Sequence, residues 1–351
     1  MRVGLIARAD SRGLGIQTKA FYDNMAPAKT LVVGTDPRMS EMPLPIRSDW
    51  YPDAAIIRGW PTASHIEAFL DGVDTVYTAE TGYTPALWDI AQKRGIRTVL
   101  HANFEFLNRN DQPTQWLAPS EWRIDEWPEG TVHLPFPVET HRFGEPDLPD
   151  LPTNLLHIVG RPTIDKRNDR EVDLNRNGTI DLLQCLQHTT ANFRLTVRCQ
   201  KNGYVDQLMQ RHHVVVPHNV DLRIEQTDLP NYWDAYQGQH ALILPRRFGG
   251  LCLPANEAVG GAGIPAIMTD IDPNNRWLPR EWLVPAVQTG SLLAKQFVDV
   301  HTPDPVGLAL KIEQLVTDPA FYADAKRRAL QLRFRLSWDT LKPYYEEMLR
   351  G

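Results

Sequence analysis

The chain has 351 residues, 42% hydrophobic and 23% charged, with a formal net charge of −6. That length exceeds one small core and suits two domains, and the negative charge gives no global footprint for nucleic-acid phosphates, leaving only a local basic groove for such a partner. No apolar run is long enough to cross a bilayer, and Met1 to Ala7 is interrupted too soon by Arg8 and Asp10 to act as a signal peptide, so a cytoplasmic location and no transmembrane segment are expected.

Arg2 to Ala7 reads as a buried strand, followed by a glycine loop over Asp10 to Thr18 and a helix running to Met25. The loop lacks the spacing of a dinucleotide fingerprint; Gly13 and Gly15 either let backbone approach a ligand or simply make the turn. Leu31 to Gly34, Ala54 to Ile57, Thr75 to Thr78 and Arg97 to His101 follow as strands, with helices predicted over Ala63 to Leu70 and Pro85 to Arg94, the latter stopped by Gly95. This alternation predicts a parallel sheet covered by helices, whose ligands sit at the carboxyl ends of the strands. Glu80, His101, Asn103 and Glu105 lie at such ends. The local pattern alone favours His101 as a histidine satisfied by a neighbouring loop. Ser120 stands outside any nucleophile elbow.

Gly144 to Pro152 is rich in proline and acid and reads as a linker. A second alternation starts with Asn154 to Arg161, and strands are expected at Arg194 to Arg198 and His213 to Val216. Arg161 and Lys166 flank the turn after the first of these strands, as a diphosphate clamp or a solvated charged loop. Asp173 to Asp181 matches most of a calcium loop, but its twelfth position is Gln184 rather than a bidentate glutamate; a turn at Asn177-Gly178 with a helix from Thr179 is the better reading. Leu242 to Met268 reads as strand, glycine turn, short helix and strand: either an ordinary strand-turn-helix unit of an α/β domain, or a phosphate-facing turn with Glu257, early on the helix, accepting from ribose or sugar hydroxyls. Helices are predicted from Asp304 to Thr317 and from Ala320 to Arg335. Cys185, Cys199 and Cys252 have no metal-binding spacing and read as reduced core residues.

Taken in order, Gly13-Leu14-Gly15, His101, Ala118-Pro119-Ser120, Leu134 to Phe143, Val159-Gly160-Arg161, Lys166, Phe248 to Ala258 and Gly263-Ile264-Pro265 resemble the retaining, nucleotide-sugar-dependent glycosyltransferases of the GT-B type. The resemblance covers nearly the whole chain. It implies an α/β architecture of two facing Rossmann-like domains with parallel sheets and an interdomain cleft: an acceptor-side domain over 1–148, a donor-side domain over 149–330, and a helix within 331–351 crossing back to the first domain. It further implies a nucleotide diphosphate sugar as donor substrate, no obligatory cofactor or metal, and Arg161 and Lys166 neutralising the diphosphate. Glu257 would hold the ribose, with Gly13, Gly15, Phe248, Gly249, Gly250 and Leu251 about the donor and His101 beside the reacting sugar. Glu80, Asn103 and Glu105 are acceptor-side candidates; the acceptor is a carbohydrate, a small molecule or a hydroxylated DNA base. The family carries a second glutamate eight positions before the one matching Glu257, where this chain has Gly249. That departure keeps open a nucleotide-sugar or glycan-binding protein of weak or no catalytic activity.

Overall fold

The computed structural model describes residues 1–34, 46–146, 148–160, 162, 164–167, 170–227 and 229–351, with backbone alone at 164–167 and 170–173. The chain divides into two compact units. The first comprises Met1–Pro137, Ala294–Gln296 and Trp338–Gly351. The second comprises Val138–Leu293 and Phe297–Ser337.

In the first unit, β1 (Val3–Ala7), β2 (Lys29–Gly34), β3 (Ala55–Arg58), β4 (Thr75–Ala79), β5 (Arg97–His101), β6 (Gln115–Ala118) and β7 (Val132–His133) form one sheet in the order β3-β2-β1-β4-β5-β6-β7. Every strand pairing in it is parallel. The central strands β1 and β4 are buried at all positions, as a sheet covered on both faces requires. Helices α1 (Gly13–Met25), α2 (Ala63–Leu70) and α3 (Ala86–Lys93) supply cover, together with the last helix of the chain, Trp338–Arg350. Phe21 of α1 stacks on Tyr77 of β4 at 3.9 Å between ring centroids, and Trp338 meets Phe21 edge-on at 6.4 Å. The predicted glycine loop is shorter than expected: α1 begins at Gly13, so Gly13 and Gly15 lie in its first turns.

In the second unit, β8 (Asn154–Gly160) is followed by the antiparallel hairpin β9 (Ile164–Arg167) and β10 (Arg170–Asp173), then α4 (Thr179–Cys185). The strands β11 (Phe193–Cys199), β12 (Val220–Glu225), β13 (Ala241–Leu244), β14 (Ala266–Thr269) and β15 (Leu283–Val284) complete a parallel sheet with β8 in the order β12-β11-β8-β13-β14-β15. Counted from β8 and leaving out the hairpin, this is the winding of the first unit, 3-2-1-4-5-6. In such an order the connections leave on opposite sides at the switch point, and the crevice there is where doubly wound sheets take ligands. The switch points are β1 beside β4 in one unit and β8 beside β13 in the other. A hairpin of β16 (Ala286–Leu293) and β17 (Phe297–Pro303) and two long helices, Pro305–Thr317 and Pro319–Arg335, follow.

Two local expectations change. Gly144 to Pro152 is no free linker. Val138 donates its N–H to the Leu336 carbonyl at 2.8 Å, Arg333 donates to the carbonyls of Thr140 and Gly144, and Lys326 donates to that of Pro149, so this stretch is tied to the helix Pro319–Arg335 and its end. His213 to Val216 is not a strand. His213 takes a positive φ of 50°, which turns the chain, and Val215 is exposed; the edge strand forms at β12 instead.

Beyond the backbone pairing of β8 with β13, one histidine braces the second switch point. His157 on β8 is fully buried, and its Nδ1–H donates to the Ile243 carbonyl of β13 at 2.8 Å. Its Nε2 accepts from the Thr179 hydroxyl at the start of α4 at 2.9 Å, the tautomer following from the carbonyl partner. Burial lowers its pKa to about 4, keeping the ring neutral. Just before α4, Gly178 has φ 69°, and a Cβ there would collide with the Pro245 carbonyl at the end of β13. Gly178→Ala combines left-handed strain with overpacking and should lower unfolding free energy by roughly 2–4 kcal/mol in urea denaturation, most of it from the collision; an unchanged midpoint would show that α4 does not seat this tightly on β13.

Candidate functional site

The carboxyl end of β13 leads into Pro245 to Cys252 and then a helix whose form differs from the simple one expected. It is α-helical over Leu253–Asn256 and π-helical over Glu257–Ala262. A π turn widens the backbone by one residue and swings the side chains that flank it, a feature common at functional sites. Here the close packing of Gly260 and Gly261 is the local reason small residues are needed: a Cβ on Gly261 would stand 2.5–2.8 Å from the Phe143 ring, and one on Gly260 would press on Val138 and Leu336.

Glu257 is the first residue of the π turn and is 8% exposed. Tyr236 donates its hydroxyl to Glu257 Oε2 at 2.6 Å. Desolvation raises the carboxyl pKa to about 7, outweighing that hydrogen bond, which lowers it. A buried carboxyl at the switch point, near-balanced between its two protonation states at neutral pH, is a ready acceptor for hydroxyl donors once ionised.

The turn itself is shaped by Arg246, a residue sequence reasoning passed over. Its side chain is 3% exposed; Nε donates to the Phe248 carbonyl at 2.8 Å and Nη1 to the Leu251 carbonyl at 3.2 Å. The guanidinium thus satisfies carbonyls that a tight turn would leave unpaired. Gly249 sits between these anchors at φ 105°, a conformation only glycine adopts easily. A Cβ there would lie 2.6 Å from Arg246 Nη2 and 2.8 Å from Arg176 Nε. Arg176 comes from the chain just before α4, and its guanidinium lies 5.7 Å from the Phe248 ring centroid. Phe248, Gly249 and Gly250 are buried and Leu251 is half-buried. Arg247 points elsewhere, donating to the His301 carbonyl and the Thr302 hydroxyl with Asp181 3.9 Å away.

The structure therefore brings Phe248, Gly249, Gly250 and Leu251 together in one turn, with Glu257 at the head of the helix that follows. Arg161 lies outside the described residues, and of Lys166 only the backbone, in β9, is described. In the first unit, Gly15 is buried against Asp10, whose carbonyl a Cβ would strike, which gives this glycine a packing reason; Gly13 opens α1. Glu80, at φ 65°, and Asn103 meet at the ends of β4 and β5, Asn103 Nδ2 lying 3.4 Å from Glu80 Oε1. Glu105 is buried, and its carbonyl accepts from the N–H of Lys295 at 3.0 Å.

His101 lies in the core of the first unit. It is 0% exposed, stacked on Phe136 at 3.9 Å, with Nδ1 3.1 Å from the Tyr77 hydroxyl and 3.2 Å from that of Tyr345. Tyr345 also donates to the Pro135 carbonyl, and the donor and acceptor roles at Nδ1 follow the ring's tautomer. Burial lowers the His101 pKa to about 3. The ring, enclosed by aromatic side chains, joins β5 to the helix Trp338–Arg350. The turn at Asn177-Gly178 forms with the helix starting at Thr179, the reading preferred over a calcium loop: Asn175 turns its amide nitrogen to Asp181 and its oxygen to the Ile180 N–H, and Asn177 donates to the carbonyls of Ile158 and Val159. Among the described residues no three His, Cys, Asp or Glu side chains are grouped to hold a metal ion.

No family model matches the chain, and no match was found among curated proteins. Solved structures do match over its full length. The sucrose-phosphate synthase of Thermosynechococcus elongatus superposes with a TM-score of 0.68 at 14% identity, covering 100% of this chain and 98% of the other. HepE from Anabaena, solved with UDP, gives 0.67 at 11% identity with both chains covered completely. The fold is GT-B. An α-glucosyltransferase solved with UDP and a 13-mer DNA containing an HMU base shares it at a TM-score of 0.59 and 9% identity, again over 100% of both chains.

The raised pKa of Glu257 has a consequence for stability. Between the ordinary value of 4.5 and about 7 the folded state holds a proton that the unfolded state has released, so the contribution is complete below 4.5 and is lost as pH rises through about 7. Glu257→Gln keeps the size and removes the titration. Relative to the native protein, its stability should grow by up to about 3 kcal/mol between pH 4.5 and 8. Chemical denaturation across that range measures it; a difference independent of pH would mean that Glu257 ionises normally.

Proposed function

We propose that this protein is a retaining glycosyltransferase that moves a sugar from a nucleotide diphosphate sugar to an acceptor hydroxyl. The observation carrying this reading is the convergence, at the switch point of the second unit, of the buried Glu257 carboxyl with a glycine turn pinned by a buried arginine, within a GT-B fold. Glu257 accepts from the ribose hydroxyls, and the turn Phe248 to Leu251 faces the phosphates and sugar. Arg161 and Lys166 offset the charge that collects on the departing diphosphate, work that fixed cations do without a metal. The UDP found with HepE and with the DNA-modifying glucosyltransferase supports a nucleotide donor. Transfer breaks the bond from the anomeric carbon to the diphosphate oxygen and forms one to the acceptor oxygen on the same face; the acceptor proton leaves with the diphosphate.

Glu80 and Asn103 are the acceptor-side residues of this reading, and the acceptor is a glycan, a small molecule or a hydroxylated DNA base. The glucosyltransferase solved on modified DNA supports including the last. Gly249, standing where a second glutamate is expected, favours a second reading: a binding protein of weak or no catalytic activity on the same scaffold.

Calorimetry with UDP, GDP and ADP separates these readings from neither. One of the three should bind, more tightly as pH rises through about 7 because ribose hydroxyls bond best to ionised Glu257, and Glu257→Ala should weaken it tenfold or more. If none binds, the nucleotide-sugar reading falls. With the matching labelled donor, incubation with oligosaccharides, small alcohols and hydroxymethylated duplex DNA should label one acceptor class, and NMR of the product should show the donor's anomeric configuration. An inverted product would overturn retention; donor binding without transfer to any acceptor would establish the second reading.

A further inference from the structure

The charge beside Gly249 is the reverse of the one a hydroxyl-reading carboxylate would place there. Arg246 is almost completely buried, and its Nε and Nη1 are spent on the Phe248 and Leu251 carbonyls. Its Nη2 has no hydrogen-bond partner among the described residues and lies 2.6 Å from where a Cβ on Gly249 would stand. The Arg176 guanidinium reaches the same point, its Nε at 2.8 Å. Among the described residues no carboxylate forms an ion pair with Arg246, whereas its neighbour Arg247 has Asp181 within 3.9 Å. A buried cation whose partners among the described residues are backbone carbonyls is costly to hold, and an anion at Arg246 Nη2, where the Arg176 guanidinium also reaches, offsets that cost. Planar guanidiniums also match the paired oxygens of phosphoryl and carboxylate groups. The position is the switch-point end of β13, where a doubly wound sheet takes its ligand.

We propose that Arg246 and Arg176 form an oxyanion subsite over Gly249, which binds a phosphoryl or carboxylate oxygen of the donor. The absent side chain at residue 249 is then what opens the subsite. This rests on the glycosyl-donor reading for its ligand, but the anion chemistry can be tested apart from it. Two sources supply such an oxygen: the diphosphate, or a carboxylate on the transferred sugar.

The test is calorimetry of the full chain and of its Arg246→Gln and Arg176→Gln variants with inorganic pyrophosphate, UDP, UDP-glucose and UDP-glucuronate, at two salt concentrations. Circular dichroism establishes that each variant is folded, and Arg176→Gln, at a half-buried position that does not pin the turn, keeps the test valid should Arg246→Gln unfold. The native protein should bind at least one of these anions, with affinity falling as salt rises, and each folded variant should lose tenfold or more. Loss on pyrophosphate, UDP and both conjugates alike assigns the subsite to the diphosphate. Loss confined to UDP-glucuronate, with UDP and UDP-glucose unaffected, assigns it to a sugar carboxylate. The proposal is overturned if the folded variants bind every anion as the native protein does, or if the native protein binds none. Pyrophosphate binding that depends on both arginines, without any nucleotide binding, would uphold the subsite and count against the glycosyl-donor reading.

Discussion

The second unit's site depends on a buried guanidinium holding a turn from inside. A chain leaving the buried end of β13 must reverse into a helix, and the carbonyls of that reversal have neither sheet nor helix to satisfy them. Arg246 supplies two donors from one rigid plane, to Phe248 and Leu251, and so sets the distance between those residues. With that distance set, Gly249 is driven to φ 105° and residue 249 cannot carry a side chain without displacing a guanidinium. A lysine would not replace this arrangement, because one ammonium cannot span two carbonyls in a fixed plane while leaving a third donor group outward.

The helix that follows carries its own constraint. Gly260 and Gly261 pack against Val138, Leu336 and Phe143, and the π turn over Glu257–Ala262 accommodates that close approach. Glu257 heads the π turn beside Tyr236, in surroundings dry enough to raise its pKa to about 7. Tyr236 in turn packs on Phe143 at 5.6 Å between centroids. Phe143, the residue just before the stretch read from sequence as a linker, thus supplies an aromatic ring that supports both the glycine packing and the carboxyl's hydrogen-bond donor.

Much of the fold was legible because parallel strands covered on both faces are unbroken apolar runs, as Leu242 to Leu244 and Leu155 to Leu156 are. The failures were local. His213 to Val216 had a strand's composition, but burial and pairing with β11 decided for Val220–Glu225. Glu257 and the Phe248 to Leu251 turn were found because they are close in sequence. Arg176 was missed because it meets Gly249 only through the fold, and Arg246 was passed over although two adjacent arginines one residue beyond a buried strand were a signal for it. At His101 the local pattern favoured a histidine satisfied by its surroundings and only the family resemblance placed it beside a sugar; its partners Tyr345 and Phe136, remote in the chain, enclose it.

The overall charge of −6 and the two guanidiniums at Gly249 are compatible because the two act over different distances. At physiological salt a surface charge is screened within about 8 Å, so the acidic surface contributes little at a buried guanidinium, whereas an anion in contact with that guanidinium is scarcely screened at all. Net charge governs how the whole molecule meets a polyanion such as DNA; the sign at Gly249 governs a single small oxyanion. The fold supplies the second without altering the first, by drawing one arginine from the end of β13 and another from the turn before α4, and by leaving no side chain between them.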